Sequence, residues 1–232
     1  MVCGNEAALG LSALNDMGDY YVTTFVSKAD GLGEPSEKRV VLIGSSNGLA
    51  LYLLRSGYRV LHIDKDPAEA EDTRKVLSEN LSEDELKRFE SATIDVEEAD
   101  AGFRANDIVC FVRSLHHMQY PSGVLKKIYE QVGNIIVCDM SESLLQEHEK
   151  IYGAEYTKDE KKVNKQCLLM VRGHGLKDKE SVEDFLVRSG FDPRGTDIQF
   201  YYRLRCPCEN RHCSSVCTYW FLVAEHGALC AP

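Results

Sequence analysis

Basic charge is scarce in this sequence. Twenty-seven lysines and arginines stand against 37 aspartates and glutamates, which gives a formal charge of −10. Nucleic acids and anionic membranes are bound through basic surfaces, so neither is an expected partner. Long apolar runs are also missing, and none approaches the ~20 residues a membrane span needs. The opening Met1-Val-Cys-Gly-Asn-Glu6 lacks the basic-then-apolar order of a secretory signal. A cytoplasmic chain is therefore expected. Its nine cysteines then read as thiols rather than a disulfide framework. Cys110 and Cys138 sit in apolar runs as small core residues, while Cys3, Cys167 and Cys230 are scattered. No internal repeat is visible.

What is present is an alternation of strand and helix. At 232 residues, with 44% hydrophobic and 28% charged, the chain suits one decorated α/β domain. Residues 1–37 read as an N-terminal helical lid: Asn5 caps a helix carrying Ala7, Ala8, Leu11 and Leu14, and Gly18 breaks it. Residues 38–232 form the main domain. Strands are expected at Arg39–Ile43, Tyr58–Ile63, Glu90–Ile94, Asp107–Val112 and Asn134–Cys138. Helices fall between them, and Ser82 with Glu85 makes a capping box. The 154–179 insert reads as charged and irregular, with a helix near Glu160–Met170, followed by a helix at Ser181–Ser189. Two β-rich stretches close the chain at Asp197–Arg205 and Cys217–Glu225. This pattern predicts a mostly parallel seven-stranded sheet with an antiparallel C-terminal edge strand and helices on both faces.

Val40-Val-Leu-Ile-Gly44-Ser-Ser46-Asn-Gly48 puts a glycine-punctuated turn between a strand and a helix. A ligand can approach such a backbone closely and meet helix N-terminal amides. The next strand ends at Asp64, an acid placed to accept hydrogen bonds from ribose hydroxyls. The bland alternative is a tight turn without a ligand. A nicotinamide cofactor would more often use Gly-x-Gly-x-x-Gly, which is absent here.

These residues carry a family resemblance. Ile43-Gly-Ser-Ser-Asn-Gly48, His62-Ile-Asp64, Ala92-Thr-Ile-Asp95 and Asp107-Ile-Val with Leu115-His-His-Met118 resemble class I S-adenosylmethionine (SAM) dependent methyltransferases in order and spacing. Val187-Arg-Ser-Gly-Phe191 and Tyr219-Trp-Phe-Leu-Val-Ala-Glu225 are similar in outline. The resemblance implies a Rossmann-like fold with SAM as cofactor. Gly44, Ser46 and Gly48 would line its methionine portion, Asp64 its ribose and Asp95 its adenine amino group, with Ile94 or Val96 near the ring. Two positions depart from the pattern: Leu42 stands where an acid is usual, and Ser46 where a glycine is usual.

On the acceptor side, His116 or His117 is a candidate general base, because imidazole titrates near neutrality. The alternative makes one a packing residue and the other solvated. Ser114 and Arg113 are candidates for orienting substrate or cofactor. Tyr20 and Tyr21 could offer aromatic faces to a sulfonium and hydroxyls to a substrate, or simply pack a helix on the core. Cys206, Cys208, Cys213 and Cys217 are candidate ligands of a structural zinc at a hairpin end, against disulfides or free surface thiols.

The function expected is methylation of a small polar molecule. An alternative is a SAM-consuming cyclase or aminocarboxypropyl transferase that releases methylthioadenosine. A second alternative is a non-catalytic, methyltransferase-like binding module. Expected partners are a small-molecule substrate and, at most, a second copy of the chain as a homodimer.

Overall fold

The computed structural model describes residues 34–44, 47–154, 156–192, 196–201 and 219–224, the last two segments as backbone only. Tyr20, Tyr21, Ser46, Cys206, Cys208, Cys213 and Cys217 lie outside the described residues.

Strand β1 (Arg39–Ile43) shows why the sheet lies inside the molecule. Val41 and Ile43 enter one apolar core with Phe111, Leu115 and Leu125. Val40 and Leu42 enter a second core with Leu49, Leu53 and Leu54. Four successive buried apolar residues, Val40 to Ile43, show that both faces of the strand are covered, as parallel sheets require. β2 (Arg59–Asp64), β3 (Phe89–Thr93), β4 (Ile108–Val112) and β5 (Ile135–Asp139) complete a parallel set. β6 (Thr196–Tyr201) and β7 (Tyr219–Ala224) follow at the β5 edge, giving the order β3-β2-β1-β4-β5-β7-β6. β7 runs antiparallel to both β5 and β6. The order reverses between β1 and β4, and at such a reversal the strand carboxyl ends leave a crevice.

Local chemistry sets the helices. α1 (Asn47–Arg55) buries Leu49, Ala50, Leu51, Leu53 and Leu54. α2 (Pro67–Asn80) starts with Pro67 after Asp66, whose side chain accepts the Ala68 amide at 2.9 Å. The capping box of α3 (Glu83–Leu86) is complete, with Ser82 and Glu85 bonded reciprocally. α4 (Pro121–Val132) ends at Gly133 in the left-handed region. α5 (Glu142–Tyr152) is capped by Ser141, and α7 spans Lys179–Arg188.

The helix expected near Glu160–Met170 in the insert is present and extends further at both ends, as the sixteen-residue α6 (Lys158–Gly173). Cys167 and Val171, one turn apart, are buried in the same core as Leu115, Leu144 and Leu145. Arg172 pairs with Glu142 at 2.8 Å and so fastens α6 to α5. The dense charge of its first turns had masked this apolar face. At the opposite end of the sheet, Arg39 grips Asp107 with two bonds of 2.9 and 2.6 Å. Among the described residues no helix is long and apolar enough to cross a membrane.

Candidate cofactor and acceptor site

The parallel registers bring the ends of five strands to one edge, in the order Asp95, Asp64, Gly44, Ser114 and Asp139. Gly44 is at the reversal, with φ +91°. A Cβ there would lie 2.7 Å from the Cβ of Ser114 and 3.3 Å from the Val112 carbonyl. Only glycine satisfies both the dihedral and the space. Ser114 closes the seam by donating to the Ile43 carbonyl at 2.7 Å. Gly48 lies in the first turn of α1, buried, so that helix begins directly behind the turn.

On the β2–β3 side, Asp64 accepts the Asp66 amide at 2.9 Å through Oδ1, and its carbonyl accepts the Ile94 amide at 2.9 Å. Asp95 holds its own loop by accepting the Glu97 amide at 3.0 Å. Val96 is buried beside the partly buried Ile94. Glu97 then reaches the segment after β4, its carboxylate accepting the amides of Gln119 and Tyr120 at 2.9 and 2.8 Å. Sequence reasoning missed this strap, since nothing local marks Glu97 among its acidic neighbours.

On the β4–β5 side, Arg113 adopts φ +50°, a left-handed conformation rare for a long side chain and costing about 1 kcal/mol or more. Its amide donates to the Cys138 carbonyl at 2.8 Å. The 3-10 turn Leu115–His117 follows. His116 is buried, and its Nδ1 pairs with Asp139, which also accepts the His116 and Met140 amides. Burial works to lower the His116 pKa, but the Asp139 carboxylate outweighs it and raises it to about 9, with a smaller contribution from Cys167. Asp139 is held below its usual range: burial opposes its ionisation, while His116 and the two amides favour it. His117 is exposed and stacks obliquely on His116, ring centroids 4.1 Å apart. Partial burial of its ring and the adjacent His116 charge push its pKa down to about 4. Neither Asp139 nor Cys167 was picked out from sequence. An acid closing an apolar strand on the binding edge was the available signal for Asp139.

No family model matches the chain, and no curated protein matches it in sequence. Solved structures do. The methyltransferase domain of bacterial CtHen1-C aligns with TM-score 0.59 at 15% identity, over 90% of this chain and 97% of that one. The plantazolicin methyltransferase BpumL, solved with a pentazolic desmethylPZN analog and SAH, gives 0.59 at 10% identity, over 90% and 87%. Its counterpart BamL gives 0.58 at 12%, over 97% and 86%. The chain has the class I SAM-dependent methyltransferase fold.

The chemistry of the edge suits the cofactor of that fold: Gly44 carries no side chain to cover the turn, α1 starts behind it, and Asp64 and Asp95 stand at the ends of β2 and β3. Leu42, by contrast, is wholly buried in the core beneath α1, and its aliphatic side chain has no polar group to offer a cofactor's ammonium.

Proposed function

We propose that the protein binds SAM across the β3–β2–β1–β4 edge and transfers its methyl group to a small polar acceptor. The observation that carries this reading is the Gly44 turn at the strand reversal, flanked by Asp64 and Asp95 on the adjoining strand ends. Gly44, Ser46 and Gly48 would receive the methionine portion, Asp64 the ribose hydroxyls, and Asp95 the adenine amino group, with Ile94 and Val96 against the ring. When bound, SAM supplies an electrophilic methyl on a sulfonium. Its SAH product occupies the plantazolicin methyltransferases of the same fold.

The chain's own contribution is placement. Ser114 fixes the seam beside the turn. His116, charged at neutral pH against Asp139, sets the turn that presents His117. His117 keeps a lone pair at neutral pH, available to an acceptor proton or to an electrophile. Residues 1–37, with Tyr20 and Tyr21, would close over the edge and exclude water.

Incubation with SAM, followed by calorimetry and mass spectrometry, tests this reading. Micromolar binding with SAM intact fits a methyltransferase that lacks its acceptor. Absence of binding at millimolar SAM sinks the reading and leaves a methyltransferase-like module. A second reading draws on the buried Leu42. An altered amino-acid pocket suits attack at the aminobutyrate carbon, by a cyclase or aminocarboxypropyl transferase, and methylthioadenosine released from SAM alone would establish it.

A further inference from the structure

We infer that His116, His117 and Cys167 form a binding site for a zinc-class divalent cation, with a fourth coordination position left to water or an acceptor oxygen. One ligand atom from each residue lies within 4.8 Å of the others. A tetrahedral zinc with nitrogen and sulfur ligands spaces those atoms roughly 3.3–3.8 Å apart, given bonds of about 2.0–2.3 Å. Side-chain rotation of an ångström or so closes the difference.

His116 supplies the second observation. Its Nδ1 is taken by Asp139, which leaves Nε2 for the cluster, and that atom is buried without a well-formed hydrogen bond, with only the weakly bonding Cys167 thiol beside it in the cluster. A buried polar atom left so costs about 1–3 kcal/mol, and a cation on it removes the deficit. Asp139 behind the ring completes the carboxylate–histidine–metal arrangement that fixes the ring and strengthens the ligand. Protons and charge also balance: the cation displaces the Nε2 proton of His116 and the thiol proton of Cys167 to solvent, and a dication then offsets the Cys167 thiolate and the Asp139 carboxylate around a neutral imidazole, leaving no net buried charge.

The donor set selects the ion. Two imidazoles and a thiolate are poor ligands for magnesium or calcium and good ones for zinc. Three protein ligands rather than four make an open site. The exposed His117 marks the solvent side, and Cys167, in the middle of α6, gives that inserted helix a chemical task. A use in activating the acceptor oxygen rests on the SAM-dependent reading; cation binding does not.

The test is titration of the full chain, stripped of metal, with Co²⁺ and then Zn²⁺. It is run with Cys206, Cys208, Cys213 and Cys217 replaced by serine, so that those thiols cannot compete. One equivalent of Co²⁺ should bind with a thiolate-to-cobalt charge-transfer band that Zn²⁺ displaces. Cys167→Ser should abolish the band, and the surface change His117→Ala should weaken binding. Asp139→Asn should lower affinity about 10–100-fold. If the serine background does not fold, Cys167→Ser in the otherwise native chain should remove one equivalent from the total. No uptake, or a band indifferent to Cys167→Ser and His117→Ala, overturns the site and leaves a bare thiol–imidazole pair. SAM calorimetry on the same samples separates failure of the metal site from failure of the cofactor reading.

Discussion

The Cα of Gly44 faces Ser114 so closely that a methyl group added to it would sit 2.7 Å from the Ser114 Cβ. The two residues meet across the seam between β1 and β4, and the seam has no slack.

Gly44→Ala is therefore expected to lose on two counts, contact and dihedral. We predict about 1–3 kcal/mol of lost stability and at least a tenfold fall in SAM affinity, read by urea unfolding and calorimetry. Adding Ser114→Gly should restore part of the stability, since it relieves the contact but not the φ of +91°. Full additivity of the two changes would show that the contact is unimportant.

Asp64 has a local duty and a proposed one. Asp64→Asn keeps an oxygen for the Asp66 amide and removes the charge. Asp64→Ala removes both. SAM affinity should fall in both variants, by about tenfold or more for a charge-assisted bond of about 1.5–3 kcal/mol. Only the alanine variant should also lose measurable thermal stability. Equal SAM affinity in all three proteins would remove Asp64 from the ribose.

The Arg39–Asp107 pair is a contrast at the far end of the sheet. Both side chains are nearly buried, 10% and 2% exposed, and Asp107 also accepts the Arg104 amide at 2.7 Å. Arg39→Ala strands a buried carboxylate, and about 3–5 kcal/mol of destabilisation is expected. At temperatures where the variant stays folded, its SAM affinity should match the native value, because the pair is at the edge opposite the site.

His62 gives a pH dependence. It is fully buried on β2, and neither ring nitrogen makes a well-formed hydrogen bond. Burial pushes its pKa down, against smaller opposing effects of Asp64 and the Gly44 backbone. The unfolded chain therefore takes up a proton at His62 near pH 6.5, where the folded protein does not. Its contribution to stability is complete above that pH and is lost as pH falls toward the lowered folded value. The stability difference between His62→Leu and the native chain should shift in favour of the variant on acidification from pH 7 to 5. A difference flat across that range would refute the assignment.

The turn and strand ends proposed to hold the cofactor were legible because their signals are local. A glycine turn after an apolar strand, and an acid closing the next one, are decided within a few residues. The capping box at Ser82 and the stop at Gly133 belong to the same kind. The other half depends on encounters between distant segments: His116 meets Asp139 only once β4 and β5 pair, and Cys167 arrives on a helix whose lysines and acids read as a solvated face. His62 was hidden for another reason. A histidine within an apolar strand gives no sign of whether its nitrogens will find partners.

Glu97 joins these two halves. Its backbone amide donates to Asp95, and its carboxylate holds the amides of Gln119 and Tyr120, just beyond His117. A shift of that turn on arrival of an acceptor or a cation would be carried through Glu97 to the loop proposed to hold the adenine. Occupancy of one half would then change affinity at the other, by the same factor in both directions.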